Sequence, residues 1–541
     1  MPANLQSDLA NQPQSLRARL RSVSSIVILH VKKHAGVGMV CAVAYFDPGN
    51  WGVDLQAGSQ FGFRLLFVVL LAGIFAAFFQ VLAARLGCVT GLSLASHCRI
   101  LFYDRPSHPL FYRRLVLYPL YVLSEVAIIA TDLAELLGSA IALCLLFPKL
   151  QLWHGVLITA FDVILLLALR DPLRSAPVKM FEIFVTGLVL AVLMCMVIVI
   201  TKVNVEWAKA FEGFLPSKYI FGDSALYTCR YPFLPEIFMS DFNSKAVGIL
   251  GATVMPHSLF LGSALATQDR LTAEASSLGA KLEPAREKTA NTLCELPRIN
   301  RLVKFLAQLV RPPPPSQSSA RVKRHADREN NSLAFITAHL THGIIDIVGK
   351  SSSLQARCSF YHNNGPKIAA SASLFDAYDL IHEVVGAPAA TLFAIALLAS
   401  GQSSAVIATV AGQAVSEGFL NWRVSPVLRR VLTRLLAVIP ALVVAIAVGR
   451  PGINGLLVAS QVILAIVLPF ITLPLIYLTS SKTFMRVRRP DALVSTVSGT
   501  EDDMIDFSSG LATTILGCAI WLVMLTANIY VIVTMVVEVR H

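Results

Sequence analysis

Charge is what this chain has least of: Asp, Glu, Lys and Arg together make up 14% of its 541 residues, against about 25% in an ordinary soluble domain. That deficit excludes a solvated globular surface over most of the length. Cysteine lacks a pattern: nine are scattered without ligand spacing, which excludes a zinc ribbon or a disulfide scaffold. Cys41, Cys88, Cys144, Cys195 and Cys518 lie in or beside apolar runs and read as packing residues. For Cys229 and Cys358, a disulfide and two separate thiols are both open readings. No Gly-rich phosphate loop with its Lys occurs, so nothing points to ATP hydrolysis, and no enzymatic activity or cofactor is expected. No cleavable signal peptide is evident. The polar, basic start (Arg17, Arg19, Arg21, Lys32, Lys33) suits a cytosolic tail.

What the chain has instead is apolar length, with 55% hydrophobic residues. Runs such as 65–84, 184–200 and 515–537 reach the roughly 20 residues a bilayer requires. Eleven spans are expected, at about 34–57, 62–84, 115–146, 153–169, 180–201, 246–267, 332–349, 387–413, 430–449, 453–480 and 511–537. The net charge of +12 is distributed as a topology signal and not as a nucleic-acid footprint. Segment 85–114 holds five Arg and one Asp, and 268–331 holds twelve Lys/Arg against seven Asp/Glu; segments 201–245 and 350–385 are balanced. Basic loops stay in the cytosol, so the N-terminus is expected inside and the C-terminus outside.

Two spans are interrupted where polar groups are most expensive. The first carries Asp47-Pro48-Gly49-Asn50 and the sixth carries Met255-Pro256-His257. Proline donates no backbone hydrogen bond and clashes with the preceding turn, so each span is expected to split into two half-helices. Lipid tolerates such breaks only where they line a protein cavity. A carboxylate at bilayer depth costs a few kcal/mol or more, and such groups mark ion or proton routes. Asp47 also suits an N-cap of the second half-helix, and the two readings are compatible. Asn50 adds a second oxygen. Met255 supplies a thioether, which hard cations ignore and softer transition metals accept; a gap-filling Met is the bland alternative. Pro256 also deprives the Ala252 carbonyl of its helical donor. Two side-chain oxygens, a carbonyl and a sulfur together suit Mn²⁺ or Fe²⁺.

His257 follows the second break and suits a proton-linked step, or a structural hydrogen bond. The third span carries Glu125, Asp132 and Glu135 at spacings of seven and three, hence on one helix face; a row of buried acids reads as a proton relay. Arg434, entering the ninth span, is either the partner of one acid or an anchor snorkelling to the inner face. Gln402, Ser403 and Ser404 in the eighth span and Gln461 in the tenth serve either as cation ligands or as ordinary interhelical hydrogen bonds. The seventh span offers barely seventeen apolar residues before Lys350 and carries His339, His342 and Asp346, read either as a second site or as a degraded stretch.

Five spans separate the two breaks, which matches a five-plus-five inverted repeat with substrate bound between discontinuous helices, plus one added span. The expected division is a tail at 1–33, a first repeat at 34–201, an outside loop at 202–245 and a second repeat at 246–480. The second repeat contains a cytosolic insertion at 268–331, in which 296–310 has helical apolar spacing. A cytosolic loop at 481–510 and the last span with a short outer terminus at 511–541 complete it.

Asp47-Pro48-Gly49-Asn50, Met255-Pro256-His257, Thr131-Asp132-Leu133-Ala134-Glu135, Gly401-Gln402-Ser403-Ser404, Gly412-Gln413 and Glu417-Gly418-Phe419 together resemble the NRAMP family of divalent metal transporters, especially its fungal branch. The resemblance runs from about 34 to 480, excluding the insertion. It implies an all-α LeuT-like fold and symport of Mn²⁺ or Fe²⁺ with protons toward the cytosol by alternating access. It implies metal ligation by Asp47, Asn50, the Ala252 carbonyl and Met255, with Gln461 joining in an occluded state. Proton handling is implied for Asp47, Asp132, Glu135 and His257, with Arg434 assisting. The expected partners are divalent metal ions, protons and the lipid bilayer of a plasma, endosomal or vacuolar membrane, with no nucleic acid. Two other readings stay open: a Na⁺-coupled small-molecule carrier of the same fold, which leaves Met255 unexplained, and a non-transporting homologue or metal sensor, suggested by the seventh span.

Overall fold

A computed structural model describes residues 47–103, 105–167, 206–216, 245–268, 330–358, 373–421, 426–489 and 504–538, with isolated positions between 187 and 201. The expected N-terminal tail, the first half of span one, most of span five, nearly all of the insertion with its 296–310 helix, and Cys229 lie outside the described residues.

The first described helix, α1 (Pro48–Phe61), starts at proline, whose fixed φ suits a first turn. A short 3-10 turn leads to α2 (Leu66–Thr90), which stops at Gly91 in the left-handed region, φ 63°. Ser93 caps α3 (Leu94–Phe102). One turn of helix and a π-turn (Arg113–Leu117) then run directly into α4 (Tyr118–Leu146). The next helices are α5 (Leu152–Leu167) and the short α6 (Trp207–Glu212). The second interrupted span is α7 (Lys245–Thr253) followed by α8 (Pro256–Leu265). Beyond it lie α9 (Leu333–Cys358) and α10 (Leu374–Val384), the latter opened by a Ser373/Asp376 capping box. Three long helices follow, α11 (Ala387–Leu420), α12 (Pro426–Ala447) and α13 (Arg450–Ser480). A two-stranded hairpin, β1 (Arg486–Arg488) with β2 (Met504–Asp506), precedes α14 (Leu511–Glu538).

Among the described residues, five helical stretches are long and apolar enough to cross a membrane: Gly62–Thr90, Pro109–Leu146, Ala387–Leu420, Arg450–Ser480 and Leu511–Val533. Shorter apolar stretches, Leu152–Phe161, Ile249–Leu265, Leu333–Ile345 and Val431–Ala447, sit where further spans are expected. The expected seventh span, 332–349, lies within α9, which runs past Lys350 to Cys358 as one 26-residue helix and packs along α2. Backbone hydrogen bonding carries the helix beyond its apolar stretch, Leu333–Ile345. His339 stacks on Phe335 with ring centroids 4.3 Å apart, and its Nδ1 lies 2.9 Å from the Phe335 carbonyl. No group of three or more His, Cys, Asp or Glu able to hold a metal occurs among the described residues.

Lipid chains are as apolar as leucine, so helices in a membrane associate through close packing of small residues and not through hydrophobic exclusion. The most extensive helix contact here, α4 with α11, follows that rule. Ala127, Ala130, Ala134 and Ser139 of α4 and Ala394, Ser400, Ser404, Ala408 and Ala411 of α11 are all buried. Gly138 performs the same service at the break: a Cβ there would overlap the ring of Pro48. Two apolar clusters flank the middle of the bundle. One gathers α4, α10, α11 and α12, and the other gathers α2, α3, α7, α8 and the second half of α13.

The hairpin ties one end of the bundle together, pairing Arg486 with Asp506, Val487 with Ile505 and Arg488 with Met504. Arg85 of α2 donates to the carbonyls of Phe507 and Ser508. Asn330 Nδ2, ahead of α9, donates to the carbonyls of Phe484 at 2.9 Å and Arg486 at 2.6 Å. Lys482 and the Asp506 carboxylate lie 3.8 Å apart. Slight burial pushes that carboxyl upward, but hydrogen bonds from Ser508 and the charges of Lys482 and Arg486 outweigh it and hold it below the usual carboxylate range.

Candidate metal site

At the first break Asp47 has extended backbone (φ −66°, ψ 154°) and N-caps α1. Its Oδ2 accepts from the Gly49 amide at 3.0 Å. Its Oδ1 accepts from the Asn50 amide at 3.2 Å and from Asn50 Nδ2 at 2.7 Å. The carboxyl is fully buried (0% exposed) and Asn50 nearly so. The capping role is therefore present, and it does not exhaust the group: an ionised carboxylate offers about four lone-pair positions. The positive end of α1 also favours negative charge here.

At the second break α7 ends at Thr253 and α8 begins at Pro256, with Met255 extended between them (φ −80°, ψ 124°) and making no side-chain cap bond. The helical donor to the Ala252 carbonyl would be the amide of residue 256, which proline lacks. Ser258 secures the turn, its amide donating to the Met255 carbonyl at 3.2 Å and its hydroxyl to the same oxygen at 2.8 Å. Met255 is 1% exposed and Ala252 is buried, so sulfur and carbonyl both lie inside the bundle.

Gln461 of α13 joins the two breaks. A Cβ on Gly49 would overlap the Gln461 amide nitrogen and approach Asp47 Oδ2 to 2.7 Å, so the glutamine side chain lies directly on the Asp47 turn. A Cβ on Gly251, next to Ala252, would overlap the Gln461 backbone carbonyl. One residue thus touches α1 through its side chain and α7 through its main chain. Gln461 is fully buried, and its Oε1 has no hydrogen-bond partner. A buried amide oxygen without a partner is uncommon and marks the place of a missing donor or cation.

The acids of α4 do not form one uniform row. Asp132 Oδ1 meets Arg434 Nη1 at 2.6 Å, and Arg434 Nη2 donates to the Thr159 carbonyl at 3.0 Å, all inside the bundle. Of the two readings of Arg434, the geometry is that of an acid partner. Glu125 instead takes Arg429 Nη2, at 2.6 and 2.8 Å to its two oxygens. Arg429 was not singled out in the sequence; the unmatched cations opening α12 were the available signal. A small cleft lies between these pairs, lined by Asp132, Thr409, Gly412, Arg429 and Thr433 among others. Glu135 is fully buried one turn along from Asp132. His257 Nδ1 lies 3.2 Å from Thr131 Oγ1, so the residue after the second break touches the residue before Asp132. Gln402 Nε2 lies 3.5 Å from Ser139 Oγ, an interhelical contact. The structure therefore sets Gln461 between the Asp47–Asn50 turn and the Gly251–Ala252 end of α7, buries Met255 at the second break, places His257 against Thr131 beside the Asp132–Arg434 pair, and sets Glu125 apart with its own arginine.

A helix interrupted at Met255 and a helix starting at Asp47, joined through Gln461 inside an all-α polytopic bundle, fit a membrane transport protein of the LeuT-like class. The fold agrees with that of the Eremococcus coleocola manganese transporter, solved in complex with an aromatic bis-isothiourea substituted compound: TM-score 0.62 at 25% identity, covering 94% of each chain. Residues 38–294 and 317–500 match the family described as natural resistance-associated macrophage protein-like, and the chain belongs to that family, Nramp. It is 39% identical over 509 residues to a manganese transporter of Schizosaccharomyces pombe, covering 93% of this chain and 85% of that protein. It is 33% identical over 520 residues to an iron transporter of Saccharomyces cerevisiae, covering 93% and 96%. A divalent metal cation transporter of Listeria innocua is 35% identical over 451 residues, covering 83% and 82%.

Proposed function

We propose that this protein is a proton-coupled symporter that moves Mn²⁺ or Fe²⁺ toward the cytosol by alternating access. The observation that carries this reading is the unpartnered Oε1 of Gln461, held over the Asp47 turn and against α7. In the working cycle a partly hydrated divalent ion enters between the breaks. It takes oxygens from Asp47 and Asn50, the Ala252 carbonyl and the Met255 sulfur, and Gln461 closes over it as the site occludes. Mixed hard and soft donors hold a first-row transition ion without the all-oxygen cage that Ca²⁺ prefers. A proton released at the first break passes toward His257 and the Asp132–Arg434 pair, with Glu135 beside it, and leaves on the cytosolic side. The protein works in a plasma, endosomal or vacuolar membrane with its N-terminus in the cytosol. The relatives named as manganese and iron transporters support the choice of cargo.

The test is uptake of radioactive manganese in a transporter-deficient cell, comparing wild type with Asp47→Ala, at two external pH values. Wild-type uptake is expected to rise as the outside is acidified, and the variant to take up none above background. Equal uptake in the two would end the symport reading.

A further inference from the structure

The last described helix, α14, reaches the turn of α13 that follows Gln461. Pro469 has no amide hydrogen, so the Ala465 carbonyl lacks the donor an uninterrupted helix would give it. Asn528 of α14 supplies that donor, its Nδ2 lying 2.8 Å from the Ala465 oxygen. Further along, Trp521 Nε1 donates to the Pro469 carbonyl at 2.9 Å. Both ends of the proline interruption are therefore held from outside α13. Asn528 is 3% exposed, and its neighbours Ala527 and Val531 pack on Val462, Ala465 and Ile466. An amide in an otherwise apolar span is expensive unless it satisfies a backbone group. Ala465 stands one helical turn after Gln461. A side chain at Gly251 would strike the Gln461 carbonyl and Ala465 alike. The capped carbonyl, the Gln461 turn and the end of α7 before Ala252 thus form one continuous contact.

We propose that Asn528 is a positioning residue for the metal site: by capping the Ala465 carbonyl bared by Pro469, it fixes the turn of α13 from which Gln461 reaches the first break. Trp521 is a second outside support of the same stretch of α13. The proposal rests on the reading of the Gln461 site as metal-binding. Asn528 touches no metal ligand side chain, and its effect on the ion passes through the orientation of Gln461.

The experiment measures Mn²⁺ binding by calorimetry on the purified full chain, and the KM and Vmax of Mn²⁺ uptake in proteoliposomes. Asn528→Leu keeps the volume and removes the donor. It is expected to weaken binding and raise KM about tenfold, the size typical of losing a group that orients a metal ligand, with Vmax per inserted molecule unchanged. In a Gln461→Ala background the same substitution is expected to move KM no further, because both changes act on one path. Trp521→Phe retains the ring and loses the donor, and gives a smaller rise in the same direction; it decides the matter if Asn528→Leu does not fold. Wild-type KM in both α14 variants, or a KM rise equally large with and without Gln461, overturns the proposal. A wild-type protein that binds no Mn²⁺ overturns the metal-site reading and this inference with it. A wild-type protein that binds Mn²⁺, matched by both variants, overturns this inference alone.

Discussion

The break at Asp47 is capped by its own side chain, whereas the break at Met255 has no side-chain cap and is held by Ser258 from the following turn. The difference separates structural from functional duty. At the first break one carboxylate starts α1 and is also the proposed metal ligand, so any substitution there disturbs two things. At the second break the thioether makes no cap bond to α8, which leaves it free for the ligand role proposed above. Support from behind differs as well. His257, beside the second break, touches Thr131, and the adjacent Asp132 is locked to Arg434. Against the first break pack Gly138 of α4, at Pro48, and the Gln461 side chain, at Gly49.

The largest effect is expected at the first break. Asp47→Ala abolishes Mn²⁺ uptake and also removes an N-cap worth about 1 kcal/mol. Asp47→Asn separates the two duties: it keeps an oxygen for the cap and hence wild-type protein levels, while uptake still falls to background. Wild-type uptake in the Asn variant would erase the asymmetry between the breaks. Next comes the pair behind the second break. Arg434→Met leaves Asp132 buried without its cation and is expected to cost about 3–5 kcal/mol, read as a lower unfolding temperature of the detergent-solubilised protein. Adding Asp132→Asn should restore much of it, and no recovery would mean that the pair is not the relevant contact.

Met255→Ala is expected to reduce discrimination between Mn²⁺ and Ca²⁺ by about tenfold, with a smaller loss of Mn²⁺ transport. Competition of Ca²⁺ against manganese uptake measures it, and unchanged Ca²⁺ exclusion would put sulfur out of the selectivity argument. The smallest effect belongs to Ser258→Ala, which removes one hydroxyl bond to the Met255 carbonyl, a loss of about 1 kcal/mol. A rise in KM of no more than about fivefold is the counterpart of that energy. A larger rise would show that Ser258 does more than secure the turn.

Much of the bundle is legible in the apolar runs, since in lipid a span must satisfy its own backbone within one helix. The starts of α1 and α8 fall at the prolines that announce them, because the fixed φ of Pro48 and Pro256 suits a first helical turn. At the seventh span apolar character ends by Lys350 while the helix runs on to Cys358, so a helix's end is less legible than an apolar run. The acid row shows the limit of spacing. Glu125 and Asp132 share a helix face, yet each is claimed by a different arginine of α12. Pairing across helices is a property of three dimensions that a period of seven does not encode. For the same reason Asn528 reads only as a polar interruption in the last apolar run, until the proline of another helix is set beside it.

The three-rung ladder between Arg486 and Asp506 fixes where the chain leaves α13 and where it enters α14, whatever the intervening residues do. Because closing a longer loop costs only slowly more as residues are added, inserted sequence between Arg488 and Met504 leaves the neighbouring spans in place. That makes this crossing the natural address for a reporter tag or a grafted regulatory segment.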